Sequence, residues 1–237
     1  APGGLLNLVV KRPRERVRDA SVAFTQDGTL EAALDVGERS NGGMGWRINL
    51  DAAWLDPQTR SSRGHRWLAA AAFDTKLGSA TLLEAEIEAS RQSQPSTPGF
   101  SLLGAQLPDA DAIDPRTNLN NQAWSLPVVM SGRTGSLRLT HALAESTDLV
   151  VHAMRQRLDS DDRIAFPYGC GAENAFDRYC SDSSFDYYDF RSDGERRTSD
   201  ALDIALKGRA QWGASTHHFN AGVLLTRHVA RFGRQAF

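Results

Sequence analysis

The chain has 237 residues, a formal net charge of −2, 41% hydrophobic and 24% charged residues. That is ordinary for a folded protein and lacks the basic excess of a nucleic-acid binder. The longest uninterrupted apolar run, Trp67 to Phe73, is far short of the ~20 residues of a membrane helix, so any passage through a bilayer must be made by strands.

The chain opens on Gly3-Gly4-Leu5-Leu6-Asn7-Leu8-Val9-Val10-Lys11-Arg12-Pro13. Two glycines permit close backbone approach, Leu5 to Val10 suit a buried strand, and Pro13 ends hydrogen-bonded pairing. With neither an initiating Met nor a leader, the chain is expected to be a mature or trimmed piece. From there on the signal has period two. Ala20, Val22 and Phe24 alternate with Asp19, Ser21 and Thr25, and Leu30, Ala32, Leu34 and Val36 with Glu31, Ala33 and Asp35. Trp46, Ile48, Leu50, Ala52 and Trp54 share one face, as do Trp67, Ala69, Ala71 and Phe73. Leu83, Ala85, Ile87 and Ala89 stand opposite Glu84, Glu86, Glu88 and Ser90. Three glutamates on one strand face need water or partners. Further alternation runs through Leu137 and Leu139, Leu149 to Ala153, Leu202 to Leu206, and Phe219 to Leu225. About nine segments result, most of them long enough for the ~9–11 residues that cross a bilayer at a tilt. No segment carries a helical apolar stripe.

From the second strand on, the expected connections alternate. They are short at 38–45, 76–80, 142–147 and 208–214, medium at 57–64, and long at about 91–127 and 159–195. Gln26-Asp27-Gly28 predicts a type I′ turn in the first hairpin. Loops of ~35 residues are foreign to a compact soluble domain. Tight turns at one end and long polar loops at the other are the habit of outer-membrane barrels. Trp46, Trp54, Trp67, Phe73 and Phe24, near strand ends, suit an aromatic girdle. A soluble antiparallel sheet with one wet face alternates as well. Cys170 and Cys180, ten positions apart in a polar loop without histidine, read better as a disulfide than as free thiols or a metal pair.

The opening stretch resembles the last plug strand of TonB-dependent siderophore receptors, where a Gly-Gly-apolar-apolar-Asn segment ending in Lys-Arg-Pro leads into the first barrel strand. Gly3, Gly4, Asn7, Lys11, Arg12 and Pro13 carry that resemblance. Asn118 to Val129 (NLNNQAWSLPVV) and Asp161 to Pro167 (DDRIAFP) are similar to barrel segments of the same family. The implied fold is all-β: an antiparallel transmembrane barrel, of which residues 14–237 form the first part and residues 1–13 the end of the plug. Such receptors have a complete plug and about 22 strands, so the chain is expected to be a fragment. The implied function is uptake of a ferric siderophore across the outer membrane of a Gram-negative bacterium. It would be energised by TonB through the missing N-terminal part, with outer-membrane lipid around the barrel and no covalently bound cofactor.

Siderophore pockets use aromatic and cationic groups. The loop around the cysteines therefore nominates Tyr168, Tyr179, Tyr187, Tyr188 and Arg178, with Trp124 a weaker candidate. His217-His218 would point to opposite strand faces. The acidic stretches 108–115 and 159–162 lack calcium-loop spacing and read as solvated loops. Neither a phosphate loop nor a nucleophile elbow is present, and an enzyme is not expected. The glutamates of 84–88 read as a stripe facing the barrel lumen and the plug. The rival classes are a passive barrel, such as a porin or adhesin, and a soluble all-β ligand-binding module.

Overall fold

The computed structural model describes residues 10–12, 15–99, 102–103, 109, 111 and 113–236. Gly3, Gly4, Asn7 and Pro13 of the opening motif lie outside the described residues.

Wherever the sequence alternates, it forms a strand. In chain order these are β1 (Val17–Phe24), β2 (Leu30–Arg39), β3 (Gly45–Leu55), β4 (Gly64–Leu77), β5 (Thr81–Gln94), β6 (Leu102–Leu103), β7 (Val128–Ala144), β8 (Thr147–Pro167), β9 (Arg178–Tyr179), β10 (Tyr187–Trp212), β11 (Ser215–Arg231) and β12 (Gln235–Ala236). The nine long strands make one sheet in the order β1-β2-β3-β4-β5-β7-β8-β10-β11, while β12 pairs with β10 and β6 pairs separately with β9. Every long strand is antiparallel to the next. Among the described residues there is no α-helix, and β1 and β11 do not meet to close the sheet.

The turns sort by end. Connections 40–44, 78–80, 145–146 and 213–214 lie at one end, and 25–29, 56–63, 95–127 and 168–186 at the other. Three expectations are corrected here. The long connection placed at 159–195 is only 168–186, because β8 continues to Pro167 and β10 starts at Tyr187. The acidic run 159–162 is therefore strand rather than loop. Asp159 takes hydrogen bonds from Arg157 Nε (2.8 Å) and Arg196 Nε (2.8 Å), and Asp161 from the Gly194 N–H (2.8 Å). The first hairpin is not a type I′ turn, which needs positive φ at both central residues. Only Gly28 has it (φ 109°). The Gly28 N–H donates to Thr25 O (3.1 Å) and the Thr25 N–H to Thr29 O (3.0 Å), giving a longer connection across 25–29.

Directly opposed residues share a face, so the register defines two faces. One carries the rows Leu34–Leu50–Ala69–Ala89 and Val36–Ile48–Ala71–Ile87. On this apolar face Trp46 opposes Phe73 near the short turns, and Trp54 opposes Leu30 near the other end. Eight residues of β3 at ~3.3 Å each separate the two tryptophans by about 26 Å. At the ~35–45° tilt of barrel strands this spans roughly 20 Å, which fits within the ~25 Å apolar band of a transmembrane barrel. The opposite face is polar.

Beyond Asp161, β8 loses β7 as its partner, and the connection 95–127 takes over. Asn118 and Asn120 are almost fully buried. The Asn120 side-chain amide donates to Ser96 O (2.9 Å), its carbonyl oxygen accepts from the Ala165 N–H (3.2 Å), and its own N–H donates to Asn118 Oδ1 (2.9 Å). These bonds satisfy a strand edge that would otherwise be buried without partners. Replacing Asn120 by Ala leaves the Ala165 donor unpaired and should cost about 1–3 kcal/mol locally. Limited proteolysis checks it: cleavage within 95–127 should accelerate while the rest of the sheet stays resistant.

Candidate functional site

The polar face holds a continuous ion-pair network centred on residues 11 and 12. Alternation brings Asp35, Arg47, Glu84, Glu86 and Arg138 to one side of the sheet. Arg47 grips Asp35 through Nε (2.7 Å) and Nη2 (2.6 Å). Lys11 Nζ reaches the same carboxylate at 3.3 Å. Arg12 lies across β5, with Nε 3.1 Å from Glu84 and a further hydrogen bond from Nη2 to Glu86. Arg47 donates back to the Arg12 carbonyl (3.3 Å), and Ser136 Oγ donates to the other oxygen of Glu86 (3.0 Å). Arg12, Glu84 and Glu86 have side chains no more than a quarter exposed, so their charge-assisted bonds are poorly screened. Of the two cations named from the opening motif, Arg12 thus sits on the glutamate stripe and Lys11 beside it on Asp35 of β2. They lie at its short-turn end, close to the turn at 78–80.

The other sequence-named residues gather at the opposite end. Cys170 and Cys180 form a disulfide with Cα atoms 5.0 Å apart. The segment 168–186 folds onto itself: the Tyr168 N–H donates to Asp186 O (2.9 Å), and Cys170 and Ala175 exchange two backbone bonds (2.6 and 3.0 Å). The Glu173 carboxylate accepts from both the Ser181 hydroxyl and the Ser181 N–H, which holds its pKa below the ordinary glutamate value. The parallel pairing of Leu102–Leu103 with Arg178–Tyr179 links the two long connections.

The four tyrosines are divided between two ring clusters. Tyr188 opposes Phe166 on the polar face. Their rings stack at 5.9 Å, and Tyr168 meets both edge-on (6.2 Å from Phe166, 6.0 Å from Tyr188). Tyr187, the next residue, points to the other face. It contacts Trp124 (5.6 Å, edge-on) and Phe185 (6.1 Å), which in turn meets Tyr179 (5.0 Å). The Trp124 carbonyl accepts from Arg191 (3.3 Å), tying its segment to β10. Arg178 is half-buried in β9, near the Glu173 carboxylate. Adjacent tyrosines on a strand cannot serve one surface. Phe166 and Phe185 complete the clusters, and only the strand register could have assigned each to its face.

No family model and no curated protein matches the sequence. Among solved structures, the fold matches the ferric-catecholate import receptor Fiu from E. coli K12 with a TM-score of 0.76 at 19% identity, over 92% of this chain and 35% of that one. It matches the siderophore receptor PiuA from Acinetobacter baumannii with a TM-score of 0.74 at 15% identity, over 92% of this chain and 32% of that one. The sheet therefore has the fold of part of the wall of a siderophore-receptor barrel, unclosed. The chain spans about a third of the length of these two proteins.

The Arg12 network has a direct test. Converting Glu84 and Glu86 to Gln should release residues 10–12 from the sheet. Each charge-assisted bond is worth about 1.5–3 kcal/mol, so tryptic cleavage after Lys11 should speed up by tenfold or more, on the order of those energies. An unchanged rate would show that the ion pairs do not hold this segment.

Proposed function

We propose that this chain is the first part of the barrel wall, preceded by the end of the plug, of a TonB-dependent outer-membrane receptor that imports a ferric siderophore. On this reading residues 1–13 close the plug and residues 14–237 build the wall. The apolar face meets lipid and the polar face lines the lumen. The short turns lie on the periplasmic side and the long connections outside the cell. The observation that carries the proposal is the shared fold with two siderophore receptors over nearly the whole chain. The basic segment at 11–12, bound to acidic groups on the polar face, supports it, because a lumenal plug needs that kind of contact. A porin or adhesin has no use for such a contact.

On the lumenal side, the Phe166–Tyr168–Tyr188 cluster is the part of the site that would meet the ligand. Ring faces offer large contact area at low entropic cost, which suits a bulky ferric chelate. Tyr179, Tyr187 and Trp124, on the other face, brace the long connections from behind. The proposed activity is transport.

The test is uptake of radiolabelled iron by cells that carry the full-length receptor as their only route for a given ferric siderophore. Uptake should require both the receptor and TonB. Replacing Tyr168 and Tyr188 together by Ala should weaken ferric-siderophore binding about tenfold or more, on the order of two lost aromatic contacts. The Tyr179→Ala change should leave binding intact. Uptake that persists without TonB, or binding of no ferric chelate by a folded receptor, would overturn the proposal.

A further inference from the structure

The segment that frames the Phe166–Tyr168–Tyr188 ring cluster is acidic. From Tyr168 to Asp186 it holds four carboxylates, Glu173, Asp177, Asp182 and Asp186, and one cation, Arg178, an excess of three negative charges. Three of the carboxylates are oriented by neutral donors. Glu173 accepts from the Ser181 hydroxyl and N–H, Asp182 from the Ser184 hydroxyl (2.6 Å) and N–H (2.9 Å), and Asp186 from the Gly171 N–H (2.7 Å). A hydroxyl or an amide steadies a carboxylate without cancelling its charge. The serine bonds hold the Glu173 and Asp182 carboxyls below their ordinary range, so both are ionised at neutral pH. The backbone joins this charge to the rings, because the Tyr168 N–H donates to Asp186 O (2.9 Å).

Cations do not offset the excess. Down the polar face from Phe166 and Tyr188, the next row is Ile164–Phe190 and the one after it Asp162–Ser192. Asp162 is exposed and forms no ion pair with any described residue. The first cation on that face of β8 and β10 is Arg197, and Glu195 already holds it (2.7 Å). A chelate resting on the rings therefore meets aromatic faces inside a negative rim, with no unpaired guanidinium from β8 or β10 beside it. Repulsion of the wrong ligand is as effective a source of specificity as attraction of the right one.

We propose that this site selects neutral or cationic ferric chelates, of the tris-hydroxamate kind, and rejects anionic ferric catecholates. The ring cluster supplies contact area that is indifferent to charge, and the segment 168–186 supplies the discrimination. The inference deepens the reading of this face as a siderophore site and rests on it. It sets the chain apart from Fiu, a ferric-catecholate import receptor, because a fold shared at 19% identity does not bring its loop charges with it.

The test measures equilibrium binding of three chelates to the intact receptor in detergent, read by quenching of tryptophan fluorescence. They are a cationic linear ferric tris-hydroxamate, a neutral cyclic one and a trianionic ferric tris-catecholate. The two hydroxamates should bind about tenfold or more tighter than the catecholate, on the order expected when three charges oppose three across ~10 Å of screened water. Raising the salt concentration should shrink that gap. The variant Glu173→Gln, Asp182→Asn, Asp186→Asn keeps an acceptor oxygen at each position and should close most of it. Its Cys170–Cys180 disulfide and its heat-dependent gel shift should match the wild type, and the salt series on the wild type gives the same answer without any substitution. A catecholate bound as tightly as the hydroxamates by the wild type would overturn the proposal, as would a gap that neither salt nor the folded variant alters. Failure of the folded receptor to bind any of the three would instead overturn the siderophore reading on which the proposal rests.

Discussion

A carboxylate cannot be left in hydrocarbon without a partner, and β5 places Glu84, Glu86 and Glu88 on one face while Leu83, Ala85 and Ile87 occupy the other. The rest of the sheet answers to that constraint. The glutamates fix which face is wet. The wet face collects Asp35, Arg47 and Arg138 from neighbouring strands. The resulting field is satisfied by Lys11 and Arg12 from a segment outside the sheet. A sheet free to choose either face would have no sidedness. This one has it through ion pairs that are largely shielded from water.

The same alternation shapes the other face in two ways. Over β2 to β5 the rows are alanine, leucine and isoleucine between two levels of tryptophan and phenylalanine. Over β7 to β11 they turn abruptly to arginine and aspartate. These strands are also the longest: β8 has 21 residues and β10 has 26. A strand of 26 residues is more than twice the ~9–11 needed for a bilayer, so on the proposed membrane-spanning reading its upper half projects beyond the membrane, where both faces meet water. The arginine rows mark where that happens.

This explains what could be read from the amino-acid sequence and what could not. The long strands are legible from period two because one face of the sheet is apolar and the other polar, as lipid on one side and water on the other would require. Where both sides are wet the alternation fades although the hydrogen-bonded ladder continues. That is why Asp159-Ser160-Asp161-Asp162 and Asp189 to Gly194 look like loop in sequence and are strand in three dimensions. The tyrosines illustrate a second limit. Their clustering in sequence is plain, but which of them takes the polar face depends on a register that slips at the bulge between Ser192 and Glu195. Asn118 and Asn120 show a third. A buried asparagine is indistinguishable from a loop asparagine until the strand edge it completes is in view.

The central claim is that one face of this sheet contacts lipid and the other contacts water. Single-cysteine scanning along Trp46 to Trp54 in the membrane-inserted receptor, read with a water-soluble thiol reagent, tests it most directly. The account predicts labelling at the polar-face positions 47, 49 and 51, and protection at 46, 48 and 50. Uniform labelling along the strand, or the opposite phase, would contradict it.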